Sequence, residues 1–468
     1  MSFNLVSSPT TRKRIVFFLI VLVLAGAIRF LTYNFIRDHL NDASWFQYGS
    51  YRVFDKRAQD ILDGRGRMFW IDDATRTDLV QYPPAYPWMV AVIYWLTGDR
   101  SAYAVQKVLA VLDGLLSLTL IAGIAVTAYG WRAGMIASVF AALSPLLAIV
   151  GVSPSADAPT AWFVLGALWL LLIAIKRQSL WFALASGVLL GVACWLRVNP
   201  LYLSLFWAVP LFVLSNGGWK RRLIMSATVV LAALIIVSPI VIRNYLVFPE
   251  FTPTGGTLGA NLWEGLGETE LGRSAGFMYG DDKMIERERV KMGVPAGVPF
   301  EAMWPDGIKR ERERTRESLA FIKQHPIWYA GVMLHRMWGM LKVAGEPLPY
   351  YGTAGINVTP KKSLPSHRQG GLVALIVTAL GMIQSVARTA LLPLAAVGVW
   401  LAWRRNWRMT LLLLTTIFYY LVPGTFAHTE IRYVLPVHGL LPIFAALTVE
   451  LGLKWLSNRR RPAAPQNS

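Results

Sequence analysis

The sequence predicts an all-α polytopic membrane protein with about ten transmembrane helices. Of its 468 residues, 55% are hydrophobic and only 16% are charged, and the mean hydropathy is +0.44. A soluble domain carries about 25% charged residues. Apolar runs of about 18 or more residues recur along the whole chain, which is typical of helices that cross a bilayer.

Ten apolar segments are predicted to span the membrane. The first follows a basic N-terminus, is too long for a signal-peptide core and lacks a small-residue cleavage pattern, so it is predicted to be retained. The segment 372–403 is long for one helix and contains Gln384 and Arg388. An interfacial helix followed by a span is therefore the alternative there. The ten segments are 15–36, 104–128, 132–151, 158–175, 180–196, 199–215, 223–242, 372–403, 409–425 and 434–454.

The net charge of +19 comes from 46 Lys and Arg against 27 Asp and Glu. Many of the cations form short clusters beside apolar spans, which is the positive-inside pattern. With the N-terminus inside, five such clusters fall on the cytoplasmic side. Because no basic stretch alternates with aromatic residues on a soluble domain, nucleic acid is not expected as a partner. The clusters are "TTRKR" at 10–14, "KRQ" at 176–178, "WKRR" at 219–222, "WRRNWR" at 403–408 and "SNRRRP" at 457–462.

This topology predicts two outer loops and three regions. An N-terminal transmembrane module, 1–242, contains the first outer loop, 37–103. A large outer loop region, 243–371, is followed by C-terminal transmembrane helices and a basic tail, 372–468. The predicted location is the plasma membrane of a bacterium, with the site facing the periplasm. The one cysteine, Cys194, excludes an intramolecular disulfide.

The second outer loop contains two segments that mix charges of both signs at helical spacing. These are "DDKMIERERVKMG" at 281–293 and "DGIKRERERTRES" at 306–318. Such a pattern predicts solvated surface helices stabilised by i,i+4 ion pairs. A third segment, 325–345, is apolar with Trp and scattered cations. It predicts a helix that lies in the membrane interface rather than across it.

Polar residues gather at the outer ends of the predicted spans. Any single arginine there is explained by snorkelling to the headgroups, and any single acid by capping a helix. Taken together, acids and arginines from five separate loops converge on one face of the membrane. Opposite charges there suggest a phosphate-bearing substrate and a proton acceptor. The residues are Asp42, Asp157, Arg197, Arg243, Asn244, His428, Glu430, Arg432 and Tyr433.

The first outer loop contains "YPPAYPWMVAVIYWLTG", which begins at Tyr82. Paired prolines suit the first turn of a helix. The apolar run that follows has about a dozen residues, which is too short to span the membrane. The segment therefore predicts a short helix at the membrane surface that covers the polar face, and a simple packing hairpin is the alternative.

Five motifs in order resemble the GT-C superfamily of polytopic glycosyltransferases. The resemblance is to the branch related to dolichyl-phosphate-mannose protein mannosyltransferases and the bacterial aminoarabinose transferase of lipid A. The motifs are "FDKRAQDILDGRG", "YPPAYPWMVAVIYWLTG", "LSPLLAIVGVSPSADAPTAWF", "SPIVIRNYLVF" with Ile240 where Trp is usual, and "HTEIRYVLP".

The resemblance implies transfer of a sugar from a polyprenyl-phosphate carrier to an acceptor on the outer side of the membrane. It implies that a first-loop acid and an acid near Asp157 flank the reaction centre, and that Arg243 holds the carrier phosphate. The family's first-loop acid usually stands where this chain has Ser50. Asp42 and Asp55 are therefore both candidates, with Asp42 favoured slightly. Tyr82 stands where the aminoarabinose branch has lysine. The substrate of that branch is therefore not implied for this chain.

These observations favour an inverting glycosyltransferase with an aspartate general base. The expected partners are a polyprenyl-phosphate-linked sugar, a lipid, glycan or protein acceptor, and the bilayer. A divalent cation bound by Asp157 and the first-loop acid stays open. A transporter or flippase of lipid-linked sugars is the alternative function, although the two related halves typical of transporters are not found. A structural scaffold would leave the convergence of five loops unexplained.

Overall fold

The structure is a computed structural model that describes residues 9–37, 48–65, 82–248, 250, 252, 254–255, 257–343, 360–364 and 371–459. These residues form α-helices, two short 3-10 helices and a single β-bridge between Glu301 and Trp304. The helices are α1 (Pro9–Ile36), α2 (Tyr48–Leu62), α3 (Ala85–Thr97), α4 (Ala102–Tyr129), α5 (Trp131–Leu143), α6 (Pro145–Val152), α7 (Asp157–Arg177), α8 (Leu180–Leu196), α9 (Leu203–Leu214), α10 (Trp219–Val247), α11 (Leu258–Gly267), α12 (Glu270–Ser274), α13 (Asp281–Lys291), α14 (Gly307–Gln324), α15 (Pro326–Leu341), α16 (Leu372–Leu421) and α17 (Leu435–Arg459).

The predicted fold class is confirmed, and the ten predicted spans lie largely on helical residues, with 132–151 divided between α5 and α6. Among the described residues, six helical segments are long and apolar enough to cross a membrane, and the bent pair α5–α6 would make a seventh. Helices α8 and α9 are apolar but shorter, and α16 contains two of the predicted spans. The chain is therefore an integral membrane protein with helices packed around a common apolar core.

Helices α5 and α6 are separated by a bend of 61° at Ser144. The break has a local cause, because Pro145 suits the first turn of a new helix and disfavours a helical conformation of the residue before it. The Ser144 hydroxyl accepts a hydrogen bond from the backbone N–H of Leu147 at 3.3 Å. The bend leaves the last carbonyls of α5 without helical partners.

A buried ion pair between α1 and α4 supplies hydrogen-bond donors to those carbonyls. Arg29 and Asp113 are at most 1% exposed, and Arg29 Nε lies 3.1 Å from Asp113 Oδ2. Arg29 also donates to the carbonyls of Ala142 at 2.8 Å and Ala141 at 3.3 Å. Arg29 thereby joins α1, α4 and the broken end of α5.

The other oxygen of Asp113 is also bonded within the core. Its Oδ1 accepts from the Ser117 hydroxyl at 2.5 Å and from Trp162 Nε1 at 2.9 Å. The ion pair therefore meets the requirement that charges in an apolar interior be paired and hydrogen-bonded.

Helix α16 is continuous from Leu372 to a kink at Asn406. The alternative of an interfacial helix followed by a separate span within 372–403 is therefore wrong. Gln384 is fully buried and bonds the backbone and side chain of Ser363 at 3.0 and 2.9 Å, which fixes residues 360–364 against the helix. Further along, a Cβ atom on Gly398 would meet the backbone of Phe444, so α16 and α17 can approach this closely only because residue 398 is glycine.

One face of the bundle carries four of the basic clusters that the sequence places inside. Their side chains contact the helix ends of neighbouring spans, which shows that these ends lie at the same level. The contacts are Arg14 over the ring of Trp131, Arg405 to the carbonyl of Tyr129, Arg221 to the carbonyl of Gln178, and Arg408 to the carbonyl of Leu214.

Helices α11 to α15 lie at the opposite ends of the spans, in the predicted outer region. The prediction of solvated ion pairs within α13 and α14 is wrong for the central residues. Glu288 of α13 bonds both Arg310 and Arg314 of α14 at 2.5 Å, and the two arginines are 4% and 2% exposed. Glu311 of α14 accepts from the backbone N–H of Gly259 and so caps α11. The charged stretches mix signs because the two helices pair with each other.

Candidate functional site

Asp157 occupies the first turn of α7, directly after the short turn that ends α6. The carboxylate suits that position because a helix N-terminus favours negative charge. Asp157 is 3% exposed, and its Oδ1 accepts a hydrogen bond of 2.6 Å from Arg197 Nη1. Arg197 follows the last residue of α8. The structure therefore joins two residues that lie forty positions apart.

The loop before α17 contributes the second guanidinium group. Arg432 Nε lies 2.6 Å from Glu430 Oε2, and Arg432 Nη1 lies 3.9 Å from Asp157 Oδ2. The ring of Tyr433 is flanked by both guanidinium groups, with centroid distances of 4.5 Å to Arg197 and 5.2 Å to Arg432. Two buried acids, two half-buried arginines and one half-buried tyrosine from the predicted site thus form one network, which we call the Asp157 network.

His428 connects this network to the outer helices. Its Nδ1 lies 2.5 Å from Glu268 of α11's C-terminal end, and its Nε2 lies 3.5 Å from Glu430. Glu268 is also paired with Arg336 of α15 at 3.2 Å. Arg336 in turn donates to the carbonyls of Gly265 and Ala427.

The charges around His428 fix its protonation state. Burial acts to lower the pKa of His428, but the facing carboxylates of Glu268 and Glu430 outweigh burial and raise the pKa well above its usual value. Burial likewise acts to raise the pKa of Glu430, but Arg432 and His428 hold it at about 2. His428 is therefore an imidazolium and Glu430 a carboxylate at neutral pH. Nearby Glu264, half-buried on α11, has its pKa raised to about 7, chiefly by burial.

The structure describes only one of the two candidate bases of the first outer loop. Asp42 lies outside the described residues. Asp55 lies on α2 and accepts hydrogen bonds from the Tyr94 hydroxyl at 2.6 Å and from Gln59 at 3.1 Å. Asp55 is therefore held against α3 by the Tyr94 hydroxyl.

Arg243 and Asn244 lie near the C-terminal end of α10, and both are buried. Arg243 donates from Nε and Nη2 to Asn244 Oδ1 at 2.9 and 2.6 Å, and Asn244 donates to the carbonyl of Thr252 at 3.0 Å. Arg57 of α2 acts electrostatically on Arg243. Arg57 also lies over the ring of Tyr82, 5.9 Å from its centroid. Arg57 therefore lies beside Tyr82 and within electrostatic range of Arg243, and we call these two guanidinium groups the Arg57–Arg243 pair.

Aromatic rings connect α2, which contains Arg57, to the short helix α3. Phe54 packs edge-on against Tyr82 at 5.1 Å and against Tyr86 at 4.9 Å. Tyr86 is fully buried on α3, the short helix that follows the paired prolines. The predicted short helix is confirmed.

Sequence reasoning missed four residues of this region: Arg57, Tyr86, Glu268 and Arg336. Arg57 and Tyr86 lie within two of the motifs described above, but the motifs did not indicate a role for either residue. No sequence feature indicated Glu268 or Arg336, because nothing in the neighbouring sequence distinguishes them from the other charged residues of the outer loop.

The donor set of the Asp157 network does not fit a divalent cation. Two guanidinium groups already surround Asp157, and they repel a cation. Within the described ranges, no group of three His, Cys, Asp or Glu side chains lies close enough together to bind a metal ion.

Comparison with known proteins identifies the fold. The family model "Dolichyl-phosphate-mannose-protein mannosyltransferase" matches residues 81–242, which run from α3 into α10. A crystal structure of the Archaeoglobus fulgidus oligosaccharyltransferase in the apo form is similar over 96% of this chain and 53% of its own, with 14% identity and a TM-score of 0.51. The chain has a GT-C fold. Its resemblance to the GT-C superfamily is thereby confirmed.

Two further solved structures are similar to this chain. The same archaeal enzyme, tethered with an acceptor peptide, is similar over 95% of this chain and 50% of its own, with 14% identity and a TM-score of 0.50. ArnT from Cupriavidus metallidurans, bound to undecaprenyl phosphate, is similar over 97% and 81%, with 16% identity and a TM-score of 0.37. The chain spans about half the length of the archaeal enzyme. No curated protein matches the sequence.

Proposed function

We propose that this protein transfers a sugar from a polyprenyl-phosphate carrier to an acceptor at the face of the membrane where the Asp157 network lies. One observation carries the proposal: on a GT-C fold, Arg197 and Arg432 come from two separate helix ends and surround the buried carboxylate of Asp157, which lies at a third. Charges are rare inside membrane proteins unless they serve a function. The family match to a dolichyl-phosphate-mannose transferase supports the same donor chemistry.

The carrier phosphate is assigned to the Arg57–Arg243 pair. Two guanidinium groups in a mostly buried position suit a phosphate, which accepts several charge-assisted hydrogen bonds at once. As the bond to the sugar breaks, negative charge grows on the leaving phosphate, and fixed cations stabilise it. Tyr82, which lies beside Arg57, and Asn244, which orients Arg243, complete this end of the site.

Arg197 and Arg432 have a different role from Arg243. Each is already paired with a carboxylate, Arg197 with Asp157 and Arg432 with Glu430. We infer that they hold Asp157 in a fixed orientation rather than bind the carrier phosphate. His428 and Tyr433 hold Glu430 and the two guanidinium groups in turn.

The reaction is a single displacement with inversion. An acceptor hydroxyl oxygen attacks the anomeric carbon, the bond from that carbon to the phosphate oxygen breaks, and the hydroxyl proton passes to a carboxylate. Such general-base catalysis contributes roughly 10²–10⁴-fold to the rate. Asp42 is the preferred base, because Asp55 is already bound by Tyr94 and Gln59. The acceptor is a lipid, glycan or protein that reaches this face.

A transfer assay tests the proposal. Purified protein in nanodiscs would receive radiolabelled undecaprenyl-phosphate sugars and bacterial envelope lipids, glycans and proteins as acceptors. Carrier consumption is expected in the wild type and is expected to fall at least 100-fold in Asp157→Asn and in Arg243→Leu. Asp99→Asn, at an exposed acid away from the site, is the matched control. Consumption that is unchanged in both site variants, or transbilayer movement of intact donor with no transfer, would overturn the proposal.

A further inference from the structure

Both ring nitrogens of His428 face a carboxylate. Nδ1 lies 2.5 Å from Glu268 Oε1, and Nε2 lies 3.5 Å from Glu430 Oε1. A neutral imidazole donates from one ring nitrogen and accepts at the other, whereas an imidazolium donates from both. Because an ionised carboxylate only accepts, the imidazolium alone can bond both neighbours. The geometry therefore favours a positive charge on His428, which is 6% exposed.

Glu268 joins His428 to the outer helix α15. It directly follows α11 and is 4% exposed. Its second oxygen, Oε2, lies 3.2 Å from Arg336 Nη2. Arg336 also donates to the carbonyls of Thr425 at 3.2 Å and Ala427 at 3.1 Å, in the loop that contains His428. Each oxygen of the Glu268 carboxylate is therefore paired with a different cation.

The charge of His428 acts on Asp157 through the loop before α17. Arg432 Nε lies 2.6 Å from Glu430 Oε2, and Arg432 Nη2 donates to Glu430 Oε1 at 3.0 Å. Arg432 Nη1 lies 3.9 Å from Asp157 Oδ2, so Arg432 is shared between two carboxylates and lies closer to Glu430. The imidazolium offsets part of the charge of Glu430. Loss of that positive charge would draw Arg432 toward Glu430 and weaken its hold on Asp157.

The groups that face His428 from the neighbouring elements are mostly acidic. Burial acts to lower the pKa of His428, and Glu268 is the strongest of the groups that raise it. Without the charge of Glu268, burial gains weight and the pKa of His428 is expected to fall into the neutral range. The facing groups are Glu264 and Glu268 from α11 and its end, Tyr279 and Asp281 where α13 begins, Arg336 of α15, and Glu430 of the same loop.

We propose that Glu268 is a positioning residue for the transfer reaction, which keeps His428 positively charged and thereby keeps Asp157 in its orientation. This inference rests on the proposed function. Glu268 acts through His428 rather than on the substrate. The outer helices α11 and α15 therefore contribute to transfer through a chain of paired charges that ends at the Asp157 network.

Variants that separate charge from size test the inference in the transfer assay, from about pH 5.5 to about pH 9. Glu268→Gln keeps the side-chain length, and its amide can donate to Nδ1 of a neutral imidazole. Its rate of donor consumption relative to wild type should stay within about twofold at the acidic end and fall about tenfold at the basic end, as His428 loses its proton. Glu268→Asp keeps the charge but shortens the side chain, so its relative rate should not change with pH.

Two further variants complete the series. Adding His428→Gln to Glu268→Gln removes the group that titrates, so the relative rate of the double variant should be the same at every pH. Glu270→Gln, at an exposed glutamate two residues away, is the matched control and should behave like wild type throughout.

The charge of His428 can also be measured without activity. The protein has six histidines, and solid-state NMR of protein with ¹⁵N-labelled histidine, with His428→Gln as the reference for assignment, reports how many ring nitrogens are protonated. Wild-type His428 should keep two protonated ring nitrogens over the whole pH range. In Glu268→Gln, one of the two should lose its proton as the pH rises.

A relative rate of Glu268→Gln that does not change with pH would mean that Glu268 serves packing alone. A wild-type His428 that titrates near the ordinary pKa of about 6.5 would also refute the inference. If His428 titrates in Glu268→Gln but the relative rate stays constant, Glu268 sets the charge without acting on transfer, and this inference alone fails. If the wild type consumes no donor, the proposed function fails and the positioning role fails with it.

Discussion

Replacing Arg29 by leucine is expected to destabilise the transmembrane core. The change leaves the carboxylate of Asp113 buried at 1% exposure without its cation, and it removes the donors to the carbonyls of Ala141 and Ala142. Removing one partner of a buried ion pair costs about 3–5 kcal/mol. Ser117 and Trp162 still donate to Asp113, which favours the lower end of that range.

The loss of stability can be measured with a probe that the chain already contains. Cys194 is its one cysteine and is 2% exposed, so a thiol-reactive fluorophore reacts only when the protein unfolds. For a domain of about 150–250 residues, 1 kcal/mol shifts the unfolding temperature by about 2–4 °C, and the shift falls with chain length. Arg29→Leu should therefore lower the unfolding temperature by about 3–10 °C.

A double variant separates the effect of the unpaired charge on stability from the effect of the changed side-chain shape. Arg29→Leu combined with Asp113→Asn removes both charges and should recover more than half of the loss, because an uncompensated buried charge is the main penalty. Arg132→Leu, at an exposed arginine, is the control and should shift the unfolding temperature by less than about 1 °C. A single variant as stable as wild type, or a double variant no better than the single, would refute the reasoning.

Three further predictions concern pH, packing and topology. Because the pKa of Glu264 is raised to about 7 from 4.5, the folded state binds its proton more tightly and stability falls as pH rises between these values. Glu264→Gln should therefore raise the unfolding temperature at pH 8 and change it little at pH 5; the opposite order would contradict the assignment. Gly398→Val should lower the unfolding temperature by several degrees because its side chain would meet the Phe444 backbone, whereas Gly26→Ala, which meets no neighbour, should not. In a Cys194→Ser background, an impermeant maleimide added to spheroplasts should label cysteine placed at Val298 and not at Arg404; the reverse would invert the topology.

The span positions could be predicted from sequence because they depend on composition, which is local. The Asp157 network could be predicted in part for the same reason: each member stands at a span boundary. Its pairing could not be predicted, since Asp157 and Arg197 meet only when α7 and α8 pack. Arg29 and Asp113 were missed because each is a lone charge inside an apolar run, and only the fold brings them together.

The error in the outer region has a related cause. Periodicity assigned α13 and α14 as helices but did not reveal which face each one buries. Arg310 and Arg314 were therefore assigned to solvent, although they pair with Glu288 of the other helix. The role of Asp55 stays a prediction, but its bond to Tyr94 could not be read from a motif that simply contains an acid.

The shortness of α8 and α9 has a consequence for the surrounding lipid. With 17 and 12 residues, they extend about 26 Å and 18 Å, against a hydrocarbon thickness of about 30 Å. Such hydrophobic mismatch is relieved by local thinning of the bilayer. Thinning beside α9 would lower the lipid headgroups toward the turn that contains Arg197. A lipid carrier that diffuses along this side would then present its phosphate at the depth of the buried charges, without leaving the bilayer.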